Sequence, residues 1–214
     1  MFLYELFQNN FEILTSEFFI TLMILILLLF CVILVNTKKY SKIILITVLN
    51  NIIIYFLIFV LILTYNKPIP LSIPLNGVFI CDEFSQFVSL ILVFSTIIYL
   101  FIQKNYLINN KIIKFENNIL ILIALLGLII ITSSYNLITL YLAIELQSLS
   151  FYILTASKQK SPIASEAALK YFILGAIASG FILYGSSIIY ITTGSLNFGN
   201  ILTFLTNINQ WENL

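Results

Sequence analysis

The chain has no histidine and no arginine, only two cysteines, and charged groups at 9% of its 214 positions. Each scarcity removes a class of function. Without histidine, no serine or cysteine triad can find its base, and the common haem and zinc sites lose their usual ligand. Cys31 and Cys81 have no metal-ligand spacing, which argues against an iron–sulfur or zinc-thiolate site. No glycine-rich phosphate loop follows a strand-like segment. If the chain serves a redox enzyme, the electrons travel elsewhere. So few charges are also incompatible with a soluble domain, whose composition is about a quarter charged.

What is present is apolar. Hydrophobic residues make up 61% of the sequence and the mean hydropathy is +1.08. About 20 consecutive apolar residues cross about 30 Å of hydrocarbon as a helix, and a lone span in lipid must satisfy its own backbone hydrogen bonds. The expected fold class is therefore all-α, a polytopic transmembrane bundle of about six spans in a single membrane domain over residues 1–214. The spans are expected near residues 18–35, 43–64, 84–102, 118–133, 138–156 and 164–192, with an interfacial tail over residues 194–214. The fourth is the shortest run, and needs Asn118 and Thr132 to Ser134 to reach across. Asn136 is placed to cap the fifth helix and Pro162 suits the first turn of the sixth. Pro68, Pro70, Pro74 and Gly77 predict an extended loop between the second and third spans. Phe2, Leu3, Leu6, Phe7 and Phe11, and likewise Phe198, Ile201, Leu202, Leu205, Ile208 and Trp211, form apolar faces suited to a headgroup boundary or a partner subunit.

Lysines sort by loop. Lys38, Lys39 and Lys42 follow the first span, Lys104, Lys111 and Lys114 the third, and Lys158 and Lys160 the fifth. The opposite face has Lys67 alone, beside Glu5, Glu12 and Glu17. The positive-inside rule then demands an even number of spans, with both termini outside. The amino terminus MFLYELFQNNFEIL lacks a positive region, so neither a secretory signal nor a transit peptide is expected there. The bias to Ile, Phe, Asn, Tyr and Lys is compatible with an AT-rich organellar genome.

Two charges break the apolar pattern. Glu145 falls roughly 10 Å into the fifth span, where insertion of a charge costs on the order of 3 kcal/mol. Tyr141, Ser148, Tyr152 and Thr155 share its helical stripe, and hydroxyls that donate and accept make Tyr141, Ser148 and Tyr152 candidates to line a hydrated path to the carboxylate. Lys170 falls about 12 Å into the sixth span by helical rise. Intramembrane ionisable groups are functional by default, so Glu145 and Lys170 are the candidate proton-transfer residues. Two structural readings stand beside that one. Glu166 and Lys170 are in the favourable i, i+4 order for an exposed ion pair, and Glu145 could serve as interhelical glue. Gly175, Ala176, Ser179, Gly180 and Gly185 read as positions of close helix approach. Asn50 and Asn51 are candidates for hydrogen bonds across helices, and Asp82 and Glu83 for a solvated boundary.

Around these charges, LLGLIIITSSYNLITLYLAIELQSLSFYIL from Leu125 to Leu154 and SEAALKYFILGAIASGFILYGSSIIYITTGSLNF from Ser165 to Phe198 resemble the antiporter-like membrane subunits of respiratory complex I, the proton-pumping NADH:ubiquinone oxidoreductase, and among them subunit 2. The resemblance implies that Glu145, the glutamate of IELQS, belongs to a proton-transfer site and that Lys170, the lysine of EAALKYF, belongs to a charged midplane array. It further implies a multi-pass protein of the mitochondrial inner membrane that holds no cofactor, with NADH, FMN, iron–sulfur clusters and ubiquinone bound by other subunits. Its partners would be other membrane-arm subunits and lipids, with no nucleic acid. Such subunits have about fourteen helices, so the chain is expected to be an amino-terminal half completed by a second polypeptide. The alternatives are a subunit of a multi-subunit cation/proton antiporter, and a structural membrane subunit without pumping activity.

Overall fold

The computed structural model describes residues 14–37, 42–67, 77–109, 116–158 and 161–212. Among the described residues seven helices follow one another: α1 Thr15–Thr37, α2 Lys42–Tyr65, α3 Glu83–Asn109, α4 Glu116–Ser133, α5 Leu137–Thr155, α6 Pro162–Thr193 and α7 Phe198–Glu212. The first six are long and apolar enough to cross a membrane, so the all-α class and the count of about six spans both hold. The amino-terminal apolar face, the proline-bearing part of the loop before α3, and Lys38, Lys39, Lys111, Lys114 and Lys160 lie outside the described residues.

The packing centre is α4. Helices α1 and α3 lie against it, α2 bridges α1 and α3, and α5 folds back along it as a tight antiparallel hairpin. The buried face of α1 (Ile20, Ile24, Leu27, Cys31) and that of α2 (Ile53, Leu57, Val60) recur every three or four residues, as an in-facing helical stripe must. On α4 the burial is nearly continuous, from Asn117 to Ser133. That resolves its shortness: a helix enclosed by protein has little lipid to match, and its polar ends at Asn117, Asn118 and Ser133 are buried among neighbours. Gly127 sets the α4–α5 distance. A Cβ there would lie 3.0 Å from both the Ala143 carbonyl oxygen and the Gln147 backbone nitrogen, so a side chain would press the two backbones apart by a few tenths of an ångström.

One end of the bundle is knitted by irregular backbone. Ile80 N–H donates to Ser133 O at 2.8 Å and Tyr135 N–H to Val78 O at 3.0 Å, while Leu137 N–H donates to Leu196 O at 3.1 Å and Phe198 N–H to Tyr135 O at 3.2 Å. The start of α3, the α4–α5 turn and the α6–α7 turn therefore sit together, as antiparallel succession requires. Asn136 caps α5 as expected: its Oδ1 accepts from Ile138 N–H at 2.9 Å, and its Nδ2 donates to Asn197 Oδ1 at 3.0 Å. Ser161 caps α6 with Pro162 in the first turn, and Gly194 ends it in the left-handed region at φ 69°, returning its N–H to Tyr190 O. Lys67 and Glu17 lie at this same end, joined by an ion pair.

Candidate functional site

Glu145 sits midway along α5, on the side away from Ala143 and Gln147, which face Gly127 of α4. Its carboxylate oxygen Oε1 is buried and has no hydrogen-bond partner. A buried oxygen in that condition carries a desolvation cost until a donor reaches it. The hydroxyls of its stripe do not reach it. Ser148 Oγ donates to the Glu145 backbone carbonyl at 3.0 Å and Thr155 Oγ to the Tyr152 carbonyl at 2.8 Å. Both spend their proton on their own helix and keep only acceptor lone pairs for water.

Tyr152 turns toward α6. Its ring stands edge-on to Tyr171, with centroids 4.9 Å apart at 84°, and to Phe172, 5.6 Å apart at 88°. Its hydroxyl lies where a Cβ on Gly175 would be. Gly175 thus receives a tyrosine side chain, whereas the sequence suggested close helix approach at all of these small residues. Gly180 and Gly185 differ again, because a Cβ on either meets nothing within 4 Å. Below this contact an open groove of about 560 Å³ runs between α3, α4, α5 and α6, lined by Thr96, Tyr99, Phe151, Thr155 and Tyr171 among others. It reaches the end of the Glu145 stripe.

Lys170 is placed apart from Glu145. Its Nζ donates to Glu166 Oε1 at 2.6 Å, and the two side chains are 70% and 65% exposed. With α5 and α6 antiparallel and Tyr152 level with residues 171 to 175, Glu145 lies seven residues away on one side of that contact, roughly 10 Å by helical rise, and Lys170 on the other. The nearest carboxylate to Lys170 is therefore Glu166. Tyr141 is half-buried on the same α5 stripe.

Sequence reasoning missed a second charged site at the opposite end of α1 and α2 from the lysine loops. Lys67 Nζ reaches both oxygens of Glu17 at 3.0 Å, with side chains 11% and 12% exposed. A cavity of about 20 Å³ beside it, room for one water, is lined by Cys81, Asp82 and Ser133 among others. Asp82, read as solvated, is the cap of α3: Oδ1 accepts from Ser85 N–H at 2.8 Å. Burial pushes the Cys81 thiol up to about 11, with Lys67 drawing it down against Glu17 and Asp82. The signal was a lone lysine on an acidic face, but the partners are fifty residues apart in sequence.

Comparison with known proteins bears on the same segment. The family described as NADH:quinone oxidoreductase/Mrp antiporter, TM matches residues 134–214. NADH-quinone oxidoreductase subunit N of Beijerinckia indica is 44% identical over 130 residues, 61% of this chain and 27% of that protein. NADH-ubiquinone oxidoreductase chain 2 of Marchantia polymorpha is 39% identical over 150 residues, 70% of this chain and 31% of its own length. The structure of respiratory complex I from Thermus thermophilus with bound aureothin contains a chain that superposes with a TM-score of 0.64 at 25% identity, over 86% of this chain and 38% of that one. By sequence and by fold this chain is a relative of the antiporter-like membrane subunits. An archaeal membrane-bound sulfane sulfur reductase shares the fold, with a TM-score of 0.57 at 24% identity. The chain spans less than a third of the length of the curated relatives quoted. The antiporter-like match begins at the turn into α5 and covers Glu145, Tyr152 and Lys170.

Proposed function

We propose that the chain is the amino-terminal part of a proton-translocating, antiporter-like subunit of NADH:ubiquinone oxidoreductase, in which Glu145 is a proton carrier. One observation carries this reading: a carboxylate oxygen buried midway along a transmembrane helix without a partner, within the segment that matches the antiporter family. An oxygen so placed is open to a proton delivered to it, and passing that proton on is the role proposed for Glu145.

Lys170, which lies apart from Glu145 and is paired with Glu166 on the exposed side of α6, is proposed as a second proton-transfer residue whose pairing changes when further helices cover that face. Tyr141, Ser148 and Tyr152 are proposed to border water on the way to Glu145, with Ser148 acting as an acceptor. Its proposed partners are other membrane-arm subunits and lipids. No cofactor is assigned to this chain; NADH, FMN, iron–sulfur clusters and ubiquinone would be held by other subunits, which makes this a non-redox part of the enzyme. The Marchantia relative supports a mitochondrial inner-membrane setting.

The test is Glu145→Gln in the native assembly. Glutamine keeps the shape and removes the titration. The number of protons translocated per NADH oxidised is expected to fall by this subunit's share, with assembly intact. Unchanged stoichiometry would leave Glu145 as interhelical glue. Sodium-dependent transport without NADH oxidation would instead support the multi-subunit cation/proton antiporter, which the matched family's description also covers.

A further inference from the structure

Well away from Glu145, Asn50 of α2 bridges to α3 and α4 near their lysine-rich ends, and Gln103 lies one helical turn beyond that bridge on α3. Asn50 and Asn118 are each 2% exposed and Gln103 is 6% exposed. Their amide orientations follow from one another. The Leu100 carbonyl only accepts, so the Asn50 group that faces it at 3.1 Å is Nδ2. Asn50 Oδ1 then turns to Asn118, whose Nδ2 donates to it at 3.4 Å. Asn118 Oδ1 is left buried without a donor, and so is Gln103 Oε1. Flipping Asn118 would set two oxygens against each other. Most buried amide oxygens in proteins have a partner, supplied by protein or by ordered water. Here two lack one, Asn118 Oδ1 on α4 beside the Asn50 bridge and Gln103 Oε1 on α3 one helical turn from Leu100, which Asn50 reaches.

We propose that the Asn50, Gln103 and Asn118 cluster is a binding site for a small hydrogen-bond donor or monovalent cation, held at Asn118 Oδ1 and Gln103 Oε1. Water and sodium ion offer amide oxygens the same chemistry, a positive end directed at a lone pair. The site is separate from the Glu145 region and does not rest on the proposed function.

Gln103→Met tests it, because methionine keeps the length of the side chain and removes its polar end. The melting temperature of the detergent-extracted native assembly is measured in sodium chloride and in choline chloride at equal ionic strength. An occupied site predicts that the variant melts lower by about 3 °C in both salts. If the occupant is water, the wild type melts alike in the two salts. If it is sodium, the wild type melts higher in sodium chloride, as ligand linkage requires, and the variant loses that difference. A variant that melts at the wild-type temperature or above overturns the proposal, since removing an unsatisfied buried oxygen relieves a desolvation cost. Should Gln103→Met fail to fold, a cryo-EM map of the wild type decides: an isolated density peak within 3.2 Å of Asn118 Oδ1 or Gln103 Oε1 supports the site, and its absence, or density continuous with a lysine side chain, contradicts it.

Discussion

Helices α4 and α6 are almost equally apolar, with mean hydropathies of 2.0 and 1.9 over their spans. Yet 61% of the α4 span is buried inside the protein, whereas on α6 Ala168 is the single buried residue. Hydropathy therefore says that each helix belongs in a membrane and nothing about what covers it. Lipid tails are as apolar as leucine, so helix association there comes from close packing and polar contacts. Gly127 has such a contact, with α5 backbone against it. Gly180 and Gly185 have open space. The difference separates a core packed around α4 from an exposed face on α6.

Mutations at matched positions would sharpen or break that comparison. Gly127→Leu is expected to do the most damage, about 3 kcal/mol or more, because the obstruction is backbone and cannot rotate away; Gly180→Leu in the chain freed of partners should change its melting temperature hardly at all. Equal losses at the two positions would erase the distinction. The two ion pairs offer the same contrast. Lys67→Met leaves the nearly buried Glu17 carboxylate without its cation and should cost about 3 kcal/mol, read as a lower melting temperature. Lys170→Met removes an exposed pair worth less than about 1 kcal/mol, so stability should hold while proton translocation in the assembly falls. If Lys170→Met unfolds the protein instead, the lysine is structural.

A smaller effect concerns Cys81, which lies outside the spans. Its thiol is pushed up to about 11, chiefly by burial. The thiolate is the reactive form, so alkylation should be slow at neutral pH and accelerate through pH 11. An ordinary thiol would accelerate nearer pH 9. Lys67→Met removes the positive charge that draws the Cys81 value down, and should slow alkylation at any fixed pH below it.

Local features were legible in the sequence: the six helices, the Asn136 cap, Pro162 in the first turn of α6, and the hydrogen bond that Asn50 makes across helices. Each depends on residues a few positions apart, or on a polar side chain that must find some partner. Pairings across helices were not legible. A helix apolar on every side carries no periodicity to say which face packs, so Gly175, under the Tyr152 hydroxyl, reads the same as Gly180, facing nothing. Asn50 and Asn51 read alike too, although Asn50 is buried and Asn51 exposed. The Glu145 stripe was visible as a stripe, but not that Ser148 and Thr155 direct their protons to their own helix. Lys170 read by position both as a mid-membrane charge and as half of an exposed i, i+4 pair with Glu166, and that local pair is what forms.

The most direct test of the α6 face is a photo-crosslinking residue placed at Gly180, where side-chain space is open, followed by mass spectrometry of the native assembly. The account predicts crosslinks to transmembrane helices of antiporter-like sequence, in an assembly that also contains NADH-oxidising subunits. Crosslinks to lipid alone, or an assembly without NADH-oxidising subunits, would contradict it.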